Sequence, residues 1–310
     1  MMSEIEQQIS VLKEVSDLYA LEWEKILSTS DFEIVLLVGR GSSDNAALYL
    51  KYLIEIFLHV PAVLSAPSVI TRFQSEVRYP KCLTIGISQS GEAVDVTEVL
   101  KYMRSHGHQT VAITNNNNSP LSKVAEHCVD LQAGEEKAVA ATKTYTASLL
   151  AGYQMVRTLN QNLPPPEKFL PDENWLQLCE ENIKQVLDTI IDSKVVFALG
   201  RGYSFSSAHE TALKMIECAL IPCKSYSTAD FLHGPLALAS DDTSAVVYGE
   251  VPDELLETGC RIIHPPDFEE SELCVLKEAV FAQLLALELA KKKGVDPDFP
   301  RNIEKITKTL

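Results

Sequence analysis

The sequence predicts an α/β protein containing two parallel sheets, each flanked by helices on both faces in a three-layer αβα arrangement. Three observations lead there. Short apolar runs alternate with amphipathic segments at helical spacing, the pattern of buried parallel strands joined by crossover helices. The run Ile34-Val-Leu-Leu-Val-Gly-Arg-Gly-Ser42 is echoed 161 residues later by Val195-Val-Phe-Ala-Leu-Gly-Arg-Gly-Tyr203, so one α/β unit occurs twice. A length of 310 residues also suits two domains.

Residues 4–29 carry Ile5, Ile9, Leu12, Val15, Leu18 and Leu21 at helical spacing with no Gly or Pro, which predicts one long amphipathic helix. Glu33–Val38 then forms a short, nearly continuous apolar run closed by Gly39, as a doubly covered strand should. Similar runs predict strands at Cys82–Ile87, Thr110–Thr114, Lys194–Leu199 and Ala245–Tyr248. Between them, apolar periodicity predicts helices at Asn45–Leu58, Ala93–His106, Thr144–Leu159, Ser206–Leu220 and Leu273–Lys292. Asn162-Leu-Pro-Pro-Pro166 and Pro171 cannot continue a helix or a central strand, so a linker is expected there. The expected domains are 1–165, the amino-terminal helix plus the first copy, and 166–310, a shortened second copy with a carboxy-terminal tail.

Composition excludes several classes. Hydrophobic residues at 46% and charged residues at 23% are globular values, unlike those of disordered, collagen-like or rod proteins. Lys plus Arg number 27 against 43 Asp plus Glu, a net charge of -16 with no basic run, so no nucleic-acid partner is expected. The apolar stretches Ile34–Val38 and Leu284–Leu287 fall far short of the roughly 18 residues that span a bilayer. Met1–Gln8 is polar and acidic rather than a secretory signal, so the expectation is a soluble, cytoplasmic protein with no membrane partner. Seven cysteines, an odd number without C-x-x-C spacing, read as reduced core thiols rather than a disulfide framework or zinc clip.

Gly39-Arg40-Gly41-Ser42-Ser43 follows a strand and opens a helix, where glycines admit close approach and free amides attract an anion. Without the third glycine of G-x-G-x-x-G, the same residues equally suit a tight turn with no ligand. Ser88-Gln89-Ser90-Gly91-Glu92 occupies the equivalent place after the next strong strand, and together the two turns make a neutral phosphate cradle that needs no metal. Taken singly, the second turn could be only an N-cap with an acidic first turn. In the second copy, Glu210, Lys214 and Glu217 share one arc of a helix, with Leu213, Met215, Ile216, Ala219 and Leu220 opposite. From spacing alone that arc is a solvated face with i,i+4 and i,i+3 ion pairs. His233-Gly234-Pro235 by itself is a turn.

Taken in order, these motifs with Ala133-Gly-Glu-Glu-Lys-Ala-Val-Ala-Ala-Thr-Lys143, Phe231-Leu-His-Gly-Pro-Leu-Ala-Leu238 and Pro300-Arg-Asn-Ile-Glu-Lys305 resemble those of tandem sugar-isomerase (SIS) domains. Within that family they are most similar to the isomerase part of glucosamine-6-phosphate synthases, over nearly the whole chain from about residue 30. Stand-alone SIS-type glucosamine-6-phosphate deaminases are related. The resemblance implies tandem SIS domains and a sugar-phosphate substrate, with phosphate on Ser43, Ser88, Gln89 and Ser90 and sugar contacts at Gly41, Ser42 and Val139. It implies that Glu217 moves a proton between C1 and C2 beside Lys214, and that His233, donated by the neighbour in a homodimer, opens the sugar ring. Lys305 would form a Schiff base with the open-chain ketose. No cofactor or metal is implied.

Some positions depart from the family pattern. Ala93 replaces a phosphate-contacting threonine, Ala141 a sugar-contacting serine, and Lys137 and Ala138 an apolar residue and a glycine. The synthases carry a glutaminase domain with an amino-terminal cysteine nucleophile, whereas this chain begins Met1-Met2-Ser3 and reaches its first cysteine at Cys82. The expectation is therefore an enzyme that deaminates glucosamine 6-phosphate to fructose 6-phosphate and ammonia. The alternatives are a fructosamine-6-phosphate deglycase, an ammonia-dependent isomerase forming glucosamine 6-phosphate, and a non-enzymatic phosphosugar sensor. The stretch Ala245–Leu273 is short and has no serine turn, so one phosphate site per chain is expected, on the first copy.

Overall fold

The computed structural model describes residues 1–269 and 271–305, which divide into two units. The first holds Ser10–Glu136 and Lys143–Lys168, together with Glu304 and Lys305; the second holds Met1–Ile9, Lys137–Thr142 and Phe169–Ile303.

The first unit takes most of helix α1 (Met2–Leu27), then β1 (Ile34–Val38), α2 (Ser42–Leu53), β2 (Ala62–Leu64), α3 (Ser68–Thr71), β3 (Cys82–Ile87), α4 (Val94–Ser105), β4 (Gln109–Thr114), α5 (Pro120–Val124), β5 (His127–Asp130) and α6 (Lys143–Leu159). Its five strands are all parallel, in the order β2-β1-β3-β4-β5. Every residue of β3 is buried, as its unbroken apolar run requires. The chain moves from β1 outward to β2 and then crosses back to β3, so the strand order reverses between β1 and β3. In open parallel sheets the crevice at the carboxyl ends of such a pair receives ligands.

Two sequence expectations change here. The apolar face of α1 is rotated: Tyr19, Trp23 and Ile26 are buried, whereas Leu18 and Leu21 are 41% and 52% exposed. The aromatic residues carry the larger apolar area and two polar tips, and both tips are satisfied, Tyr19 by the Leu131 carbonyl and Trp23 by the Ala151 carbonyl at 2.8 Å. The expected helix Asn45–Leu58 starts three residues earlier, at Ser42, and beyond Leu53 continues as a π-helical turn, Ile54–Leu58, closed by His59 in the left-handed region.

The second unit contains α7 (Glu173–Ile191), β6 (Val196–Gly200), α8 (Ser204–Ala219), β7 (Cys223–Ser227), α9 (Thr228–Leu232), β8 (Ser244–Val247), α10 (Asp253–Leu256), β9 (Arg261–Ile263) and α11 (Cys274–Lys293). Its four parallel strands run β7-β6-β8-β9. The order again reverses, here between β6 and β8. Helix α7 is capped by the Asp172 carboxylate, which accepts from Trp175 N at 2.8 Å, and buries Trp175, Cys179, Ile183 and Ile190. Helix α11 is buried nearly all round from Cys274 to Ala290 and ends in Lys291, Lys292 and Lys293 before Gly294. The two copies share one turn: a Cβ on Gly39 would lie 2.6 Å from the Ser43 carbonyl oxygen, and one on Gly200 would lie 2.2 Å from that of Ser204. Only glycine fits either place.

All seven cysteines are free thiols, six of them buried. Among the described residues no helix is long and apolar enough to cross a membrane.

Candidate active site

In the first unit the parallel register of β1 on β3 sets Val38 opposite Gly86, which brings the Gly39–Ser43 and Ser88–Glu92 turns to one edge of the sheet. Arg40 fastens them together: its Nε donates to Asp95 Oδ2 at 2.5 Å, and a terminal guanidinium nitrogen pairs with the same carboxylate oxygen. Asp95 is buried in the first turn of α4. Helix α2 begins after Gly41, helix α4 begins after Ala93, and neither has a side-chain cap. By contrast Ser119, Asp172 and Ser227 cap α5, α7 and α9 with their side chains. Neither N-cap residue thus occupies the helix start with a side-chain oxygen, although within the first turn of α4 Asp95 Oδ1 accepts from Val96 N at 2.9 Å; a helix start without an N-cap side chain suits an anion. Ala93 contributes directly to this, since a threonine there could have supplied a cap.

The second turn is tightly made. Ser88 is buried; its Oγ accepts from Gly91 N at 3.2 Å, and Ser90 Oγ accepts from Glu92 N at 3.2 Å. The Gln89 carbonyl accepts from Asn115 N at 3.0 Å, which pins the turn to the end of β4. Among the described residues both serine hydroxyls act inside the turn as acceptors, which leaves their protons available to a further acceptor. Ser42 and Ser43 sit half-buried at the start of α2.

Lys305 belongs to the same unit. Its Nζ donates to the Glu136 carbonyl and lies 3.7 Å from Glu136 Oε2. That carboxylate is buried, and accepts from Thr144 N at 3.1 Å and from Thr144 Oγ1 at 2.7 Å, in the first turn of α6. Residue type and spacing did not single out Glu136. The available sign was a second glutamate in the 133–143 motif, but its partner stands 169 residues away.

In the second unit, α8 carries Glu210, Lys214 and Glu217. Lys214 Nζ lies 3.2 Å from Glu210 Oε1 and 3.0 Å from Glu217 Oε2. The solvated-face reading is overturned, because the Glu210 and Lys214 side chains are fully buried while Ile216, on the opposite arc, is 49% exposed. The helix turns its ion pairs inward, where mutual neutralisation makes burial tolerable. Burial alone would lower the Lys214 pKa, but Glu210 and Glu217 outweigh it and hold the ammonium well above the ordinary lysine value. Of the three, Glu217 alone reaches solvent, with 23% of its side chain exposed. His233, at the carboxyl end of α9, is exposed, and its ring has no hydrogen-bond partner among the described residues. Val139 is half-buried and donates its amide to the Asp298 carbonyl at 3.3 Å.

The second copy treats its equivalent helix start differently. Ser204, the first residue of α8, gives its hydroxyl to Glu278 Oε1 at 2.7 Å, and Glu278 is buried. A protein carboxylate thus stands at that helix amino terminus. Beside it opens a crevice of about 840 Å³, whose walls include Arg201, Tyr203, Thr228, Glu250 and His264.

This constellation of doubled parallel sheets and hydroxyl turns has known relatives. The SIS domain family model matches residues 31–157 and 189–255, and the chain belongs to that family. Glutamine–fructose-6-phosphate aminotransferase (isomerizing) of Sulfurisphaera tokodaii is 30% identical over 98% of this chain and 56% of its own length. The corresponding Methanothermobacter thermautotrophicus protein is 29% identical over 98% of this chain and again 56% of its own. The chain therefore spans little more than half the length of these relatives. Among solved structures, glucosamine-6-phosphate deaminase from Thermotoga maritima superposes with a TM-score of 0.86 at 24% identity, covering 99% of both chains. The C-terminal domain of glucosamine-fructose-6-phosphate aminotransferase from Francisella tularensis gives 0.80 at 23% identity, covering 96% of this chain and 98% of its own. At these identities the structural likeness speaks for the fold.

Proposed function

We propose that this chain is an aldose–ketose isomerase and deaminase that converts glucosamine 6-phosphate and water into fructose 6-phosphate and ammonia. The observation that carries the reading is the Glu210–Lys214–Glu217 arrangement, in which Glu217 alone reaches solvent, held by an ammonium that stays charged. A carboxylate so held can take a proton α to a carbonyl or imine and return it at the neighbouring carbon. A sensor that only binds sugar has no use for it. The uncapped helix starts and serine turns of the first unit support phosphate binding by Ser43, Ser88, Gln89 and Ser90, with Gly41, Ser42 and Val139 toward the sugar. The names of the aminotransferase and deaminase relatives support an amino-sugar phosphate.

In this mechanism His233 opens the ring, supplied from the partner in a homodimer; its exposure at the end of α9 fits that use. Glu217 moves the C2 proton to C1, leaving an iminium at C2. The Lys305 amine replaces ammonia at C2, and water then releases the ketose and restores the amine. Release is preferred to synthesis by mass action, because bulk water is abundant and free ammonia is scarce in a cytoplasm.

The test is incubation with glucosamine 6-phosphate while following ammonia and fructose 6-phosphate together. Equal yields are expected. Glu217→Gln should lower turnover by about 10²–10⁴-fold and leave affinity for the sugar phosphate essentially unchanged. Binding without either product would overturn the deaminase reading; near wild-type turnover in Glu217→Gln would overturn the assignment of the base.

A further inference from the structure

We infer that Glu136 is the positioning residue for Lys305: it aims the amine and takes up the proton that the ammonium must shed before it can attack C2. This rests on the reading of Lys305 as the Schiff-base lysine. One residue supplies both contacts, since the Lys305 nitrogen donates to the Glu136 main-chain carbonyl and lies 3.7 Å from that residue's carboxylate. A lysine side chain has four rotatable bonds, and two contacts on one residue restrict where its nitrogen can point.

The carboxylate is itself fixed. Its side chain is fully buried, and one oxygen accepts the Thr144 amide at 3.1 Å while the other accepts the Thr144 hydroxyl at 2.7 Å. Thr144 stands in the first turn of α6, so the amino-terminal end of that helix dipole favours the carboxylate where it is. Helix α6 is buried from Lys143 to Val156 and is thus a rigid mount. Lys305, by contrast, is partly exposed with 25% of its side chain accessible, and takes its orientation from Glu136.

The proton balance closes. The Lys305 ammonium gives one proton to Glu136, and the neutral amine attacks the C2 iminium, forming a C–N bond. A second Lys305 proton passes to the departing nitrogen, ammonia leaves, and a lysyl iminium remains. Water attacks that iminium, giving the ketone and the Lys305 ammonium. The proton stored on Glu136 leaves on ammonia as ammonium, so the enzyme returns to its starting state.

The experiment is borohydride trapping of the purified protein with fructose 6-phosphate, read by mass spectrometry of the Lys305 peptide, alongside steady-state kinetics. Wild type should gain the reduced ketose-phosphate adduct on Lys305. In Glu136→Gln the trapping rate and kcat should both fall by about 10²-fold near neutral pH, with KM nearly unchanged and the loss shrinking as pH rises, because hydroxide can then deprotonate the amine. Glu136→Asp, which keeps the charge, should recover part of the rate. Thr144→Val removes one of the two anchors and should give a smaller loss of the same kind, which keeps the test decisive if Glu136→Gln does not fold. Wild-type trapping with unchanged rates in these variants would refute the role of Glu136 and leave the Schiff base standing. Absence of an adduct on wild-type Lys305 would instead refute the Schiff-base reading, and this inference with it.

Discussion

Replacing Lys214 with Met tests whether the buried triad is an electrostatic unit or merely packed stems. Met preserves most of the aliphatic stem, so the main loss is the ammonium, which sits 3.2 Å from Glu210 Oε1 and 3.0 Å from Glu217 Oε2. Glu217 can rehydrate through its exposed portion, but the Glu210 side chain is fully buried and would lose the ammonium that faces it. Removing one partner of a buried pair costs about 3–5 kcal/mol, or a Tm lowered by about 10 °C for a unit of this size. The sign of the pH dependence is specific. In the variant the folded state buries an ionised carboxylate without its ammonium, so the deficit is full where carboxylates are ionised, at alkaline and neutral pH, and shrinks as acid supplies a neutralising proton. Urea denaturation followed by circular dichroism at pH 8 and pH 5 measures both effects. The double variant Glu210→Gln/Lys214→Met should regain about 2 kcal/mol, since no fully buried charge is left in the triad. A deficit below about 1 kcal/mol, or one equal at both pH values, would refute the electrostatic account.

Three further outcomes are expected. In Gly91→Ala the new Cβ would lie 2.1 Å from Ser119 Oγ at a φ of 67°, so stability should fall by about 1–3 kcal/mol and sugar-phosphate affinity should fall with it; an unchanged urea midpoint and affinity would contradict the turn geometry. Arg40→Met removes the counter-charge of the buried Asp95 and unties the Gly39–Ser43 turn from the start of α4, so on the proposed reading calorimetric titration should show weaker sugar-phosphate binding together with a stability loss of about 1–3 kcal/mol. Burial, with a smaller contribution from Lys224, holds the His209 pKa below its ordinary value near 6.5. Its stabilisation is therefore complete above the unfolded pKa and is lost as pH falls through about 6.5 toward the folded value. In a Tm titration from pH 8 to pH 5, His209→Gln should be flatter than wild type.

The parts of this protein legible in the sequence are those in which local chemistry suffices. Two apolar strands ending in Gly-Arg-Gly, each running into a helix, announced the duplication, and the structure shows why glycine is required, with Gly39 and Gly200 each pressed on the carbonyl four residues ahead. Cys82–Ile87 was readable to the residue because both faces of the strand are covered. Strand β7, Cys223-Lys-Ser-Tyr-Ser227, was not, because it is an edge strand with exposed Lys224 and only partly covered Tyr226 and Ser227, and so shows no apolar run. Helix α7 was hidden by the short-range proline signal of the preceding segment. The inward turn of Glu210 and Lys214 was hidden for another reason: i,i+4 spacing is identical on a wet face and in a core, and only tertiary packing decides between them. The contact between Glu136 and Lys305 spans 169 residues and has no local signature at all.

The two copies also show how one strand–turn–helix unit can be given different duties. In the first, the N-cap residues of α2 and α4 make no side-chain cap bond, and Ser88 and Ser90 use their hydroxyl oxygens inside the turn as acceptors, an arrangement that suits an anion from outside. In the second, the turn after β6 keeps its glycine and its arginine, but Ser204 is bonded to Glu278, and the turn after β8 presents Glu250 in place of a serine. A carboxylate already stands where a phosphate would seek helix amides, and Glu250 lines the neighbouring crevice, so like charge opposes a second phosphate there. On the proposed reading, the second unit is thereby left to hold acid–base groups on α8 rather than a phosphate. If a duplicated sheet is to divide labour, one binding and one reacting, silencing the second anion seat from within is the least change that achieves it, because the backbone turn needs no rebuilding.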